Sequence, residues 1–203
     1  WNPLNFLTTD AATVGSLDLD IIDKKNELIK NLNEHKFDLV FLMGQDNLKF
    51  TKKNEFIIYV GSHGDNGAEL ADIILPGAAY TEQSGHYTNL EGKVQKAYKA
   101  SYPPGEARED WEIVNNLAEF MNNRRLFNDK DELESSMFNY INLKKEKQES
   151  PSETKVDLSN FEDETIKITY KDYYFSNVIA RSSKTMMNCN NSKLEVKRTG
   201  TEG

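Results

Sequence analysis

Three short apolar runs are spaced along the first eighty residues, and each ends in glycine. They are DLVFLMG at 38–44, FIIYVG at 56–61 and ADIILPG at 71–77. Unbroken runs of this length, rich in β-branched and aromatic residues, are typical of strands buried on both faces of a parallel sheet. Leu28, Ile29 and Leu32 have helical spacing within residues 25–35, and a shorter helix is predicted around residues 11–17. This order predicts an α/β fold, a mainly parallel sheet with flanking helices.

A more polar region follows the third run. Residues 85–100 alternate around Asn89-Leu90-Glu91-Gly92, where Gly92 can take the positive φ of a tight turn, so we expect a β-hairpin excursion from the sheet. After the break at Pro103-Pro104-Gly105, an amphipathic helix is predicted over residues 107–123. Its apolar stripe consists of Trp111, Val114, Leu117, Ala118 and Met121.

The last third of the chain is polar. Residues 129–147 have an acidic start and a basic end, which suit the dipole of a second helix, and residues 146–165 are predicted to be a linker. Residues 166–180 alternate like a strand, which must dock either onto the edge of this chain's own sheet or against a partner subunit. The last fifteen residues are predicted to be mobile. The predicted division is an α/β domain portion at 1–127, a helix and polar linker at 128–165, and a docking strand with an extended, mobile C-terminal tail at 166–203.

Composition excludes several classes of function for these 203 residues. The net charge of −8 argues against nucleic-acid binding, and no apolar run approaches the roughly 20 residues that span a bilayer. Cys189 is the one cysteine and the three histidines are dispersed, so the chain alone has no ligands for an iron–sulphur cluster or a zinc site. Lys outnumbers Arg 20 to 5, which often follows from A/T-rich coding in an organelle or a reduced bacterial genome. The opening WNPLNFL has no secretory leader, and we expect further polypeptide to precede it.

The loop GSHGDNG at 61–67 follows a strand, where backbone N–H groups can hold a phosphate. Its glycine spacing is not that of a dinucleotide-binding loop and no Walker lysine follows, so a ligand-free tight turn is the alternative. His63 and Asp65 are candidates for an acid–base pair or for local backbone hydrogen bonds. A further candidate is a paired-carboxylate site formed by acids among Glu69, Asp72, Glu82 and Glu91. The alternative is a solvated or helix-capping role for each of these acids. Cys189 has no histidine near it in sequence to act as a base, so it is expected to be a free or lightly buried thiol and not a nucleophile.

Four ordered motifs carry a family resemblance. They are HGDNGA, ADIILPGAAYTE, NLEGKVQ and PPGEAREDW, with flanking agreement in WNPLNFL, ATVGSLDLD and DYYFSNVIARSSKTMMNC. The sequence resembles the C-terminal, molybdopterin-oxidoreductase-like part of the large iron–sulphur subunit of respiratory complex I. The likeness covers about the first 125 residues and residues 172–189. It does not extend to residues 128–170.

This resemblance implies a cofactor cleft retained in shape only. In molybdopterin oxidoreductases the A-D-x-x-L-P and N-x-E-G-R-x-Q segments help to wall the pterin cleft, and the complex I relatives are understood to have lost the molybdenum cofactor. Lys93 stands where the family usually has Arg, and Lys lacks the bidentate guanidinium fork. The vestigial cleft predicted here comprises His63, Asp65, Asn89, Glu91, Lys93 and Gln95.

The resemblance also implies a role. We expect a non-catalytic structural portion of the peripheral, NADH-oxidising arm of complex I, with no cofactor in this chain and FMN and iron–sulphur clusters in others. The expected partners are the N-terminal cluster-binding part of the same subunit, either in this chain or encoded separately, and other peripheral-arm subunits. The expected location is the matrix side of the mitochondrial inner membrane, or the cytoplasmic side of a bacterial one. The alternatives are a fragment of a catalytic molybdopterin oxidoreductase of the formate dehydrogenase type and a nucleotide-binding module that uses residues 61–67.

Overall fold

A computed structural model describes residues 11, 13–21, 27–46, 48–147 and 173–198. Helices and strands alternate in its first half, as the sequence predicts. In chain order the elements are α1 (Thr13–Asp18), α2 (Leu28–Asn33), β1 (Leu39–Met43), β2 (Phe56–Gly61), α3 (Asn66–Leu70), β3 (Ile73–Pro76), β4 (Gly85–Thr88), β5 (Val94–Ala97), α4 (Asp110–Asn122), α5 (Lys130–Lys147), a 3₁₀ turn (Tyr173–Phe175), α6 (Val178–Ser182) and α7 (Lys184–Arg198).

The three predicted strands form one parallel sheet in the order β1-β2-β3. The side chains of Leu42, Ile57 and Tyr59 form the buried core on one face of this sheet. Residues from the loop after β1, from α3 and from the position just after α3 pack against them, namely Leu48, Phe50, Ala68, Leu70 and Ala71. The Asp72 carboxylate accepts a hydrogen bond from the backbone N–H of Ile57 at 2.8 Å and thereby ties the start of β3 to β2. The α/β class with a mainly parallel sheet is confirmed.

The hairpin excursion is also confirmed, because β4 and β5 pair in an antiparallel register from Gly85↔Ala97 to Thr88↔Val94. The Asn89 side-chain oxygen accepts hydrogen bonds from the backbone N–H groups of Glu91 and Lys93, at 3.0 and 2.9 Å. Gly92 has a φ of +80°, so the turn uses the glycine at the position that the sequence indicated.

Helices α4 and α5 occur where the sequence predicts them, but the apolar stripe of α4 is only partly covered. Val114 and Met121 are exposed, and the buried residue of α4 is the polar Asn115. Its side-chain oxygen accepts hydrogen bonds from the N–H groups of Leu126 and Phe127, and its amide donates to the Phe127 carbonyl at 2.9 Å. Asn115 therefore holds the connection between α4 and α5 against α4.

The predicted strand at residues 166–180 is wrong over its described part, because a 3₁₀ turn and α6 occupy residues 173–175 and 178–182. The predicted extended tail is wrong for residues 184–198, which form α7. Side-chain caps explain both errors. Asn177 accepts from the N–H of Ala180 at 2.9 Å to begin α6, and Ser183 accepts from the N–H of Met186 at 3.4 Å in the first turn of α7. Most of the predicted linker, from residue 148 to 165, lies outside the described residues.

Within the described ranges, no helix combines the length and apolar character that a bilayer crossing requires. The predicted absence of direct membrane insertion stays a prediction for the whole chain.

Candidate functional site at the carboxyl ends of the strands

The carboxyl ends of β1, β2 and β3 meet at one edge of the sheet. In open α/β sheets, ligands bind in the crevice outside this edge. A cavity of about 230 Å³ lies there, and its walls come from the three strand ends, the start of α4 and the C-terminal segment. Its lining residues are Gly44, Asp46, Val60, Gly61, Ser62, Ala78, Ala79, Tyr80, Gln83, Asp110, Asn177, Val178 and Ile179.

Tyr59, on the core side of the sheet, forms hydrogen bonds to the two loops that follow β1 and β2 at this crevice. Its ring is buried, and its hydroxyl lies within hydrogen-bond distance of the Asp46 carboxylate and, at 2.5 Å, of the His63 carbonyl. Burial first, and then the Asp46 carboxylate, raise the pKa of Tyr59 well above its usual range. The phenol therefore stays neutral and ties the loop after β1 to the loop after β2.

Asp65 joins the loop after β2 to the C-terminal segment. One carboxylate oxygen accepts from the backbone N–H of Asn66 at 2.9 Å, and the other lies 2.5 Å from Nε of Arg181. The Arg181 hydrogen bond is the main reason that the pKa of Asp65 lies below its usual range. Arg181 Nη1 also donates to the Phe175 carbonyl at 3.3 Å, so one guanidinium holds the 3₁₀ turn, α6 and Asp65 together.

His63 and Asp65 use different hydrogen-bond partners. The Nδ1 of His63 lies 2.9 Å from Oγ of Ser62, whereas the partners of Asp65 are Asn66 and Arg181. This geometry favours local structural roles for both side chains over an acid–base pair. Because Asp65 caps the five-residue helix α3 and binds Arg181, the loop 61–67 has the features of an anchored turn.

The four hairpin residues of the predicted cleft lie elsewhere. Asn89 organises the turn through the N–H groups of Glu91 and Lys93, and Gln95 is an exposed strand residue opposite Tyr87. Of the described residues that line the cavity, none belongs to this hairpin turn. The six residues predicted to wall one cleft are thus divided between the loop after β2 and the tip of the hairpin.

The candidate carboxylates are also dispersed. Asp72 pairs with Lys52 at 2.6 Å, Glu82 accepts from the N–H of Ala79 at 2.9 Å, and Glu69 is exposed. In the ranges that the structure covers, no group of three His, Cys, Asp or Glu side chains is placed to hold a metal ion. Cys189 is exposed on α7.

The sequence reasoning missed Asp46, Gln83 and Asp110, which line the cavity. Gln83 Nε2 donates to Oδ2 of Asp110 at 3.2 Å, and Gln83 Oε1 accepts from the Asp110 N–H at the same distance. Burial raises the pKa of the Asp110 carboxyl above its usual range. A signal was present for Asp46 and Gln83, since each follows the carboxyl end of a strand by a few residues, but Asp110 lies far along the chain from any of these strands.

Comparison with known proteins gives two family matches. The sequence model of the molybdopterin oxidoreductases matches residues 1–120, and that of the C-terminal region of the NADH-ubiquinone oxidoreductase G subunit matches residues 132–189. The second match covers most of residues 128–170, for which the motif comparison had found no resemblance.

Individual relatives match nearly the whole chain. The 75 kDa subunit of NADH-ubiquinone oxidoreductase from Reclinomonas americana is 37% identical over 93% of this chain. The mitochondrial 78 kDa subunit of the same enzyme from Candida albicans is 38% identical over 93%, and the G subunit of NADH-quinone oxidoreductase from Rickettsia bellii is 37% identical over 98%. The chain spans 28% of the length of the first two relatives and 29% of the third. These matches and the parallel sheet agree with the motif resemblance, and the chain belongs to the molybdopterin oxidoreductase family, in the branch that includes the G subunits of the NADH-quinone oxidoreductases.

Proposed function

We propose that this chain is a non-catalytic structural portion of the peripheral arm of respiratory complex I. In that role it supports NADH-to-quinone electron transfer by the assembly without binding a redox centre itself. The names of its relatives, which are subunits of NADH-ubiquinone and NADH-quinone oxidoreductases, support this assignment of the assembly.

The observation that carries the non-catalytic part is that the chain's own C-terminal segment lines the crevice at the strand ends. Asn177, Val178 and Ile179 of the chain's own C-terminal segment form one wall of the cavity, and the Arg181–Asp65 ion pair anchors that segment. The chain thus narrows with its own residues the place where sheets of this class bind ligands.

The residues around this cavity do not fit a pterin cofactor. Its 230 Å³ is below the roughly 300–1,000 Å³ of ordinary ligand pockets. The Asp46 and Asp110 carboxyls face it, and carboxylates repel a phosphate-bearing ligand. We therefore assign no step of catalysis to this crevice.

The remaining parts of the proposal concern the surroundings of the chain. FMN and the iron–sulphur clusters belong to other chains or to the N-terminal cluster-binding part of the subunit, which is also the first partner. Other peripheral-arm subunits are further partners. The assembly lies on the matrix side of the mitochondrial inner membrane or, in a bacterium, on the cytoplasmic side.

The test is affinity purification of the native assembly through a tag on this chain. We expect NADH oxidation, FMN and iron–sulphur signals to co-purify, and molybdenum to be absent from the complex. Asp110→Asn should give a lower yield of assembled complex than wild type. Its turnover per bound FMN should equal that of wild type. Reduced turnover per FMN in Asp110→Asn, with the yield preserved, would instead assign chemistry to the cavity.

The second candidate is a fragment of a catalytic molybdopterin oxidoreductase, which the family match over residues 1–120 favours. Stoichiometric molybdenum and pterin fluorescence in the same purified material would support this candidate and contradict the first.

A further inference from the structure

The parallel sheet has one face that is covered at β1 and β2 and one open face. The register places Leu39 opposite Phe56, Phe41 opposite Ile58, and Ile58 opposite Ile73, with all these side chains on the side away from the core. We call this surface the open sheet face, and it consists of Leu39, Phe41, Met43, Phe56, Ile58, Val60, Ile73 and Leu75.

The open sheet face is apolar throughout but poorly covered. Five of its eight residues, on all three strands, are between 43% and 50% exposed, while Leu42, Ile57 and Tyr59 of the opposite face are at most 3% exposed. Parallel sheets occur almost only with both faces covered, because their crossover connections place helices there. An exposed apolar surface of this extent is typical of an interaction site.

Helix α4 covers only the carboxyl end of this face. Val60 is 2% exposed, and a cavity of about 200 Å³ separates Met43 from Trp111 and Val114 of α4. Towards the amino ends of the strands, none of the described residues covers Leu39, Phe56 and Ile73 to a comparable extent. Val114 lines this cavity together with Met43 and is 39% exposed, so it continues the apolar surface onto α4. A further covering element would therefore lie beside α4 and contact both the open sheet face and the exposed side of α4.

The relatives indicate where that element comes from. The chain spans 28% of the length of the first relatives, and the family model that matches residues 132–189 describes the C-terminal part of their G subunit. Most of the length of these relatives therefore precedes the region matched here. We infer that a helix from this preceding polypeptide packs across the open sheet face. This inference rests on the proposed function, because it requires that the chain works as part of such a subunit.

Ile73 and Ile74 offer a matched pair of positions for the test. They are adjacent on β3, similarly exposed and chemically identical, but Ile73 lies on the open sheet face whereas Ile74, opposite Tyr59, lies on the other. After Cys189→Ser removes the exposed native thiol, Ile73→Cys and Ile74→Cys are introduced separately into the intact assembly and treated with a maleimide. We expect the thiol at position 73 to react at least about tenfold more slowly than the thiol at position 74, as burial under a stable element predicts.

A photo-reactive benzophenone side chain at position 73 then identifies the neighbour. We expect cross-linked peptides from the polypeptide that precedes the matched region. Cross-links to a second copy of this chain or to an unrelated subunit would overturn the inference, as would a thiol at position 73 that reacts as fast as the one at 74.

Ile73→Lys should lower the yield of assembled complex several-fold more than Ile74→Lys. If the tagged chain fails to co-purify with NADH oxidation, the proposed function fails and this inference with it, whereas co-purification with a freely reactive position 73 overturns this inference alone.

Discussion

Glu109 Oε2 lies 2.5 Å from the ammonium nitrogen of Lys130, and Glu109 Oε1 lies 3.0 Å from that of Lys99. The buried carboxylate thus joins the chain after the hairpin, the start of α4 and the start of α5. Burial by itself raises the pKa of Glu109, but the hydrogen bonds and charges of Lys130 and Lys99 outweigh burial, and the pKa lies below its usual range. Lys130 also donates to the Ser84 carbonyl at 2.6 Å, which extends the link to the start of β4.

Glu109→Gln should destabilise the protein by about 2 kcal/mol, because both ammonium groups lose their charged acceptor in a buried setting. Urea unfolding followed by circular dichroism measures this change. Glu106→Gln, at an exposed position three residues earlier, is the control and should leave the free energy of unfolding nearly unchanged. Equal effects of the two substitutions would contradict a special role for Glu109.

The sequence predicted the sheet and the hairpin because their signals are local. Each of the three strands is an apolar run closed by glycine, and the hairpin turn carries Asn89 and Gly92 at the positions that its geometry requires. Links such as Glu109–Lys130 join elements through side chains that look like ordinary surface charges in sequence. The apolar stripe of α4 was identified from its spacing, but a periodic pattern does not say which polypeptide covers the apolar face, and Val114 and Met121 are exposed here.

Gly77→Ala should lower the melting temperature, because Gly77 lies where the end of β3 meets α4. An added Cβ would lie 2.9 Å from Oδ1 of Asp110 and 3.3 Å from the backbone nitrogen of Gly61. Overpacking of this kind typically costs about 1–3 kcal/mol. Gly85→Ala is the matched control, since its Cβ would meet nothing within 4 Å. Thermal unfolding of the two variants side by side tests this, and an unchanged midpoint for Gly77→Ala would show that α4 moves freely relative to the sheet.

The acid stability of the protein should depend on Glu55. Its carboxylate accepts from the N–H of Lys53 at 2.7 Å and lies 2.6 Å from Nδ1 of His35, and these contacts, led by the Lys53 hydrogen bond, lower its pKa to about 2. A carboxyl whose pKa is depressed on folding stabilises the folded state above its unfolded pKa, and this contribution is lost as pH falls from about 4.5 towards 2.

Glu55→Gln should therefore be less stable than wild type at neutral pH, and the difference should shrink as the pH falls through that window. The measurement is the free energy of unfolding by urea at a series of pH values. Glu69→Gln, at an exposed carboxyl, should retain the wild-type pH dependence in this window. A constant difference between Glu55→Gln and wild type from pH 7 to pH 2 would contradict the assignment.

The candidate site was less predictable than the fold. The sequence pointed to the loop around Asp65 as a candidate site, but not to the ion pair that Asp65 forms with Arg181, 116 positions further along the chain. The C-terminal segment was predicted as a strand from its alternating aromatic residues, whereas the caps Asn177 and Ser183 begin helices there. Alternation over a few residues is a weak signal, and a cap followed by helix-compatible residues overrides it.

Deletion of every residue after Glu164 should loosen the assembled complex and leave the α/β core folded. Among the described residues, the buried core around Ile57 and Tyr59 contains none from the C-terminal segment, and that segment contacts the rest of the chain at the crevice. The yield of complex and the far-ultraviolet circular dichroism of the truncated chain measure the two effects. In limited proteolysis of the intact assembly, cleavage within residues 148–165 should precede cleavage within 168–185, and the reverse order would show that the tail is a free end.

Arg181→Ala should release the C-terminal segment from the crevice while the segment is still present. Arg181 Nε lies 2.5 Å from Asp65, and the same guanidinium reaches the Phe175 carbonyl, so its loss leaves the Asp65 carboxylate without its cation and removes the hydrogen bond to Phe175. Arg181→Lys should restore the charge but not both contacts, because an ammonium lacks the planar fork of the guanidinium, and should give an intermediate rate of cleavage within residues 173–183. Lys184→Ala, at an exposed position on the following helix, is the control and should be cleaved at the wild-type rate.

Since the ion pair also lowers the pKa of Asp65, docking of the C-terminal segment should weaken in wild type as pH falls below the usual range of an aspartate, and Asp65→Asn should abolish that pH dependence. Wild-type cleavage rates in Arg181→Ala across this pH range would show that the apolar contacts of Val178 and Ile179 hold the segment without the ion pair.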